Sequence, residues 1–288
     1  MTTWHSDAPP PVRRIGPAGW ARALLKGAVL GLVTFGGLAL LLLLRLVETP
    51  VFGLRRPWTP WITQVVCRAA FVIIGMRHTV RGEQMTGRGA VVANHSSWLD
   101  IFALNARKRV YFVSKSEVAG WPGIGWLARA TGTVFIDRDP REARAQQALF
   151  EERLQAGHKL LFFPEGTSTD GLRILPFKST LYAAFFSPRL RDILQVQPVT
   201  VIYRAPEGED PRFYGWWGDM DFGAHLLRVL AAPRQGTVEI VYHPPVRVAE
   251  MANRKALAAA TEAAVRSAFP VREREPETVR PTPPASAS

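Results

Sequence analysis

Between Gly27 and Leu44 the chain runs apolar without a single charge. Roughly 18 such residues, at ~1.5 Å each in a helix, measure about 27 Å, just short of a ~30 Å hydrocarbon core. The pattern predicts a membrane helix. A cleaved signal peptide is the rival, but the run is longer than the usual signal core and passes into Arg45 without a small-residue cleavage site. A second apolar segment, Trp58 to Met76, carries Trp58, Trp61 and Phe71 and is broken by Pro60, Gln64 and Arg68. That mixture of aromatic and cationic side chains favours the headgroup boundary, so the two segments predict a hairpin dipping into one leaflet. The other reading of the second segment is a core helix of the following domain.

Past Met76 the apolar runs shorten and alternate with helical patterns. Gly89–Ala93, Arg109–Ser114, Thr133–Ile136, Leu160–Phe163, Val196–Tyr203 and Thr237–Tyr242 read as strands. Between them, Ile101–Asn105 continues a short helix. Pro140 opens a longer one whose wet face carries Glu142, Arg144, Glu151, Glu152 and Arg153 as far as a Gly157 stop. Ala249–Ala268 reads as a last helix. Strand, helix, strand alternation implies parallel pairing with right-handed crossovers. The expected fold class is α/β, a mostly parallel central sheet flanked by helices and preceded by an N-terminal membrane helix pair. The expected boundaries are a disordered lead over 1–19, a membrane-associated helical hairpin over 20–76, a catalytic domain over 77–268 and a disordered tail over 269–288.

Charge and cysteine content narrow the function. The net charge of +12 suits nucleic acid or an anionic membrane equally well. Zinc-finger spacing, stacked RNA-binding aromatics and a basic helix with a dimerising heptad are all missing, so no nucleic-acid partner is expected. The lone Cys67 excludes an internal disulfide and a cysteine-based metal site. With no H-E-x-x-H pattern either, neither a metal nor another cofactor is expected.

The chemistry concentrates in VVANHSSWLD, Val91 to Asp100. The strand stops at Asn94, which puts His95 at a strand exit, where α/β proteins bind ligands. Asp100 is close enough in sequence to fold back onto the imidazole, fix the tautomer with Nε2 unprotonated and support the imidazolium formed when Nε2 takes a proton. The simpler reading is a capped helix start with a hydrogen-bonded histidine. About seventy residues on, the strand ending at Phe163 runs into PEGTS, Pro164 to Ser168. Pro164 and Gly166 make a turn in any protein, and Thr167 or Ser168 could cap a helix. Gly123, Gly125 and Ala128 fit a loose dinucleotide pattern, yet no strand runs directly into it. The GTSTD segment fails the hydrolase elbow at its last glycine.

NHxSxxD followed by FPEGT resembles the glycerolipid acyltransferases, which include the lysophosphatidic acid and lyso-ornithine lipid acyltransferases. The likeness covers roughly Arg77 to Val248. It implies O-acyl transfer from acyl-CoA or acyl-carrier protein to the free hydroxyl of a lyso-lipid, with His95 as general base and Asp100 orienting it. It further implies acceptor contacts from Lys115, from Arg138 in FIDRD, and from Glu165, the Gly166 N–H and Thr167 opposite His95. It places the protein on a membrane, the bacterial inner membrane with the site facing the cytoplasm. One position departs from the pattern. Lysophosphatidic acid acyltransferases carry an arginine after the EGT triplet, whereas here that place is Ser168 and the next basic residues are Arg173 and Lys178. Arg173 could reach the same anion. The commoner acceptor in the family, 1-acylglycerol 3-phosphate giving phosphatidic acid, is the first expectation, and lyso-ornithine lipid, whose acyltransferases share a TSxDG stretch with a basic residue after it, is the alternative. A hydrolase using water, or a non-catalytic adaptor binding anionic lipid through its basic face, are the readings from other classes.

Overall fold

The structure is a computed structural model and describes residues 3–6, 14–136 and 143–270. Arg138, the helix start expected at Pro140 and the tail from residue 271 lie outside the described residues.

Helix α1 (Pro17–Phe52) is 36 residues long and extends past both ends of the uncharged run that predicted it. Pro17 sits in the first turn, where a missing N–H costs nothing, so Pro17–Gly19 belong to the helix and not to the lead. Helix α2 (Thr59–Ile74) ends at Gly75, whose left-handed conformation (φ 83°) lets its N–H return to the Phe71 and Val72 carbonyls. On one face of α2, Cys67, Ala70, Phe71 and Ile74 recur at helical spacing and are buried in the core of the domain. The opposite face leaves Trp61, Val65 and Val72 exposed. The second segment is therefore a core helix on one side and an apolar surface on the other.

The sheet contains β1 (Arg77–Arg81), β2 (Gly89–Ala93), β3 (Tyr111–Lys115), β4 (Val134–Ile136), β5 (Leu160–Phe162), β6 (Gln195–Arg204), β7 (Thr237–Tyr242) and β8 (Val246–Arg247). Its order is β1-β7-β6-β2-β5-β3-β4, with β8 pairing β6. Strands β2 to β6 run parallel, β7 and β8 lie antiparallel to β6, and β1 is parallel to β7. The expected mostly parallel α/β sheet is present. Helices α3 (Leu99–Arg107), α4 (Ile124–Thr131), α5 (Ala143–Gln155), α6 (Phe222–Ala231) and α7 (Arg254–Ala268) complete the elements.

Strand β2 lies between β6 and β5, and all five of its residues are buried. Its small and β-branched side chains suit a strand covered on both faces. Val91 and Ala93 point into the core formed with α2, α3 and α6, and Ala90 and Val92 into the one formed with α5 and α7. A Cβ at Gly89 would collide with the Gln195 carbonyl, so only glycine lets β2 and β6 pair at this point.

Candidate active site

The first residue beyond β2 locks the strand end in place. Buried Asn94 donates from Nδ2 to the Val201 carbonyl (2.9 Å), and its Oδ1 accepts from the Val201 N–H (2.8 Å). A side chain thus takes over the ladder to β6 and frees the backbone to turn. The turn is held on the other side by β5: the His95 N–H donates to Glu165 Oε1 (2.7 Å), and the Thr169 N–H donates to the His95 carbonyl (3.0 Å).

Asp100, in the first turn of α3, is fully buried and accepts four hydrogen bonds. Oδ2 takes His95 Nδ1 at 2.7 Å, the Ser96 N–H at 2.9 Å and the Ser97 N–H at 3.1 Å, while Oδ1 takes the Tyr203 hydroxyl at 2.8 Å. A carboxylate has room for four donors and nothing to give back. His95 must therefore carry its proton on Nδ1, which leaves the Nε2 lone pair on the edge of the ring turned away from Asp100. The ring stacks on Phe163, centroids 4.0 Å apart at 9°, and its side chain stays 21% exposed. Burial, reinforced by Asp100, raises the Tyr203 phenol well above its ordinary range, so it remains a donor.

Glu165 is buried, and its second oxygen accepts from the Leu175 N–H at 2.6 Å. It ties the turn after β2 to the loop after β5. Burial pushes its carboxyl from 4.5 up to about 8, against the pull of the two backbone donors. The folded form thus holds a proton that the unfolded chain releases, and stability from this group is full below pH 4.5 and is lost as pH rises through about 8. A melting-temperature series should show that decline, and Glu165→Gln should flatten it. The variant should also melt lower, by roughly 1–3 kcal/mol, because its amide NH₂ meets a backbone N–H. An equally steep decline in Glu165→Gln would assign the titration to another group.

The remaining predicted residues differ in how they are engaged. The Gly166 N–H is not free for a ligand: it closes the turn on the Phe163 carbonyl (3.0 Å), with Gly166 at φ 73°. The Thr167 hydroxyl donates to the Ser168 carbonyl and accepts from the Trp4 N–H, both at 3.3 Å. Arg173 donates to both oxygens of buried Asp170 (3.2 and 3.0 Å) and lies 4.9 Å from the Trp4 ring. Lys115 closes β3 at the same end of the sheet as His95. The site roles of Tyr203, Asn94, Phe163 and Trp4 are not marked by any pattern in the sequence. For Tyr203 the one available signal is a hydroxyl next to the last residue of a strand that also carries Gln197 and Thr200.

The chain resembles known proteins along most of its length. The Acyltransferase family model matches residues 77–204. A lyso-ornithine lipid O-acyltransferase of Rhodobacter capsulatus is 62% identical over 271 residues, covering 94% of this chain and 98% of the relative. One from Pseudomonas aeruginosa is 37% identical, covering 86% and 93%. A 1-acyl-sn-glycerol-3-phosphate acyltransferase of Neisseria gonorrhoeae is 43% identical over 93 residues, 32% of this chain and 36% of the relative. The crystal structure of the 1-acyl-sn-glycerophosphate acyltransferase PlsC from Thermotoga maritima shares the fold, with a TM-score of 0.60 at 20% identity over 86% of this chain and 92% of that one. With the Rhodobacter and Pseudomonas relatives matched along nearly their whole length, the chain belongs to the glycerolipid acyltransferase family and is a membrane-associated O-acyltransferase.

Proposed function

We propose that the acceptor is a lyso-ornithine lipid and that His95 activates its hydroxyl. The 2.7 Å contact between His95 Nδ1 and Asp100 carries the mechanism. Nε2 takes the hydroxyl proton as the oxygen attacks the thioester carbonyl of acyl-CoA or acyl-carrier protein. The tetrahedral intermediate expels the thiolate, which recovers the proton from the imidazolium, and Asp100 supports the positive charge in between. A covalent acyl-enzyme is not required. General-base assistance supplies roughly 10²- to 10⁴-fold, and alignment of two bound substrates about 7–11 kcal/mol, so positioning outweighs the base.

The acceptor assignment moves away from 1-acylglycerol 3-phosphate because of Ser168 and the Asp170–Arg173 pair. A phosphate needs uncompensated positive charge, and here the Arg173 guanidinium is already matched by a buried carboxylate. A paired cation and anion suit the ornithine headgroup, which carries an ammonium and a carboxylate of its own. The names of the Rhodobacter and Pseudomonas relatives point the same way. In an assay where the two lyso-lipids compete, wild type should favour lyso-ornithine lipid. Ser168→Arg should shift the ratio toward lysophosphatidic acid by about 10- to 150-fold, the effect of one charged hydrogen bond. An unchanged ratio would remove this position from headgroup selection.

The hairpin supports an in-plane attachment. By length and composition α1 could cross a bilayer. Yet Arg22 donates to the Ala231 carbonyl (2.9 Å), Lys26 to the Ile74 carbonyl (2.7 Å) and Arg45 to the Ala130 carbonyl (3.1 Å). The stretch between these last two ties rises only about 28 Å, less than a ~30 Å core requires. The helix therefore lies along the domain with Leu25 (69%), Leu32 (75%) and Leu43 (64%) exposed toward lipid. These ties support attachment to one leaflet, and the reading we propose is the cytoplasmic face of an inner membrane, where acyl thioesters are found and where anionic lipid attracts a cationic protein. Deleting residues 1–76 is a poor test, because Ala23, Leu30, Phe71 and Ile74 are part of the domain core. Leu25→Glu, Leu32→Glu and Leu43→Glu together should instead release folded protein into the soluble fraction. A triple variant still wholly membrane-bound would place the attachment elsewhere.

A further inference from the structure

A second cluster of charged side chains sits at the other end of the sheet. Tyr111 opens β3, Gly132 precedes β4 and His158 precedes β5, whereas His95 leaves the far end of β2, which is parallel to all three. Around the Tyr111 ring gather Arg153 at 4.8 Å, Arg56 at 5.5 Å and the stacked His158 ring at 4.2 Å. Arg45 joins them from α1, donating to the Ala130 carbonyl.

Not all of these cations are satisfied. Arg153 is buried and hydrogen-bonded: Nη2 donates to the Gly132 carbonyl (2.7 Å) and Nε to His158 Nδ1 (2.6 Å). That bond makes Nδ1 an acceptor and leaves the His158 proton on Nε2, which donates to the Leu54 carbonyl (2.9 Å). His158 is thus neutral, and burial followed by the Arg153 charge holds it down at about 4. Arg45 Nε and Arg56 Nε, in contrast, are buried without an acceptor among the described residues. Glu48 is the carboxylate closest at hand, 3.9 Å from Arg45 Nε, but its oxygens accept the Trp58 and Thr59 N–H groups and the Thr59 hydroxyl. Glu152, exposed on α5, acts on Arg153 from outside. Among the described residues, three guanidiniums therefore lie around the Tyr111 ring with Glu48 as the one carboxylate buried beside them, and burial together with Arg45 and Arg153 lowers Arg56 to about 10.

Position indicates what would neutralise them. Arg56 lies in the turn between the two helices of the hairpin, next to exposed Phe52, Leu54 and Trp58. A cationic centre with an apolar rim at the base of a membrane-facing hairpin matches a phosphate whose acyl chains run along the rim. We propose that Arg45 and Arg56, backed by Arg153, form a second anion site that takes a phosphate group, from an anionic phospholipid headgroup or free in solution. This site is separate from the acyl-transfer site and does not depend on the acceptor assignment.

The test uses the full-length protein in nonionic detergent micelles, followed by thermal melting. The arms are no addition, inorganic phosphate, phosphatidylglycerol and phosphatidylcholine. Phosphatidylglycerol should raise the melting temperature saturably, by about 5–10 °C at hundredfold saturation, and phosphatidylcholine should not. A matching rise with inorganic phosphate identifies free phosphate as sufficient, and no rise with it identifies the lipid as the source. Arg56→Gln removes one of three mutually repelling charges, so it should melt no lower than wild type without anion, keep its acyl transfer and lose the anion response. Arg56→Lys, which retains a point charge without the forked donors, should respond with a weaker midpoint. A wild type that no anion stabilises, or an Arg56→Gln protein that keeps the full response, overturns the proposal.

Discussion

His95→Ala should abolish acyl transfer while leaving the fold intact. With the imidazole removed, the side-chain contact left to the Asp100 carboxylate among the described residues is the Tyr203 hydroxyl, and the acceptor hydroxyl must lose its proton to water. Base catalysis of roughly 10²- to 10⁴-fold disappears, and in a site whose alignment depends on the same ring the loss is larger. The fold should survive because Asp100 keeps its Ser96, Ser97 and Tyr203 donors, and the backbone of residue 95 keeps its ties to Glu165 and Thr169. Single-turnover transfer of a labelled acyl group, measured beside the melting temperature, reads both expectations. Full activity in the folded His95→Ala protein ends the general-base role.

What was legible in the sequence is what local chemistry determines. A continuous apolar run marked β2, its polar stop marked the exit, and the five-residue spacing of His95 and Asp100 let them meet across the first turn of α3. Less legible was anything whose partner lies far along the chain. Tyr203 reaches Asp100 from 103 residues away, and Asn94 finds Val201 107 residues away. Neither spacing leaves a periodic trace. The Gly166 amide was read as open to a ligand because a turn's own hydrogen bond cannot be seen until the turn is closed. Helix α2 carried two patterns at once, a core stripe and an exposed apolar one, and the sequence shows only their sum. The surplus of positive charge was visible from the composition, but not that Arg45, Arg56 and Arg153, widely separated along the chain, would converge under one hairpin turn.

Asp100→Asn should be nearly as damaging as loss of the histidine, for a different reason. The amide is isosteric, and with its oxygen in the Oδ2 position it can still accept from Ser96, Ser97 and His95, while its NH₂ faces a Tyr203 hydroxyl free to turn into an acceptor. The protein should fold. What vanishes is the charge opposite the imidazolium, and in the alternative orientation the NH₂ holds the wrong tautomer, with the proton on Nε2. A fall of about 10⁴-fold in kcat is expected from the corresponding change in serine protease triads. Tyr203→Phe removes one donor from the same carboxylate and should act more mildly, by at most roughly 10- to 150-fold, the equivalent of one hydrogen bond to a charged group. Because Tyr203 acts through Asp100 and not on substrate, the loss should fall on kcat and leave KM for donor and acceptor unchanged. Residues that work as one unit are strongly non-additive. The His95→Ala/Asp100→Asn double variant should therefore be no slower than His95→Ala itself, and a further large drop in the double variant would mean that Asp100 serves the reaction through some group other than His95.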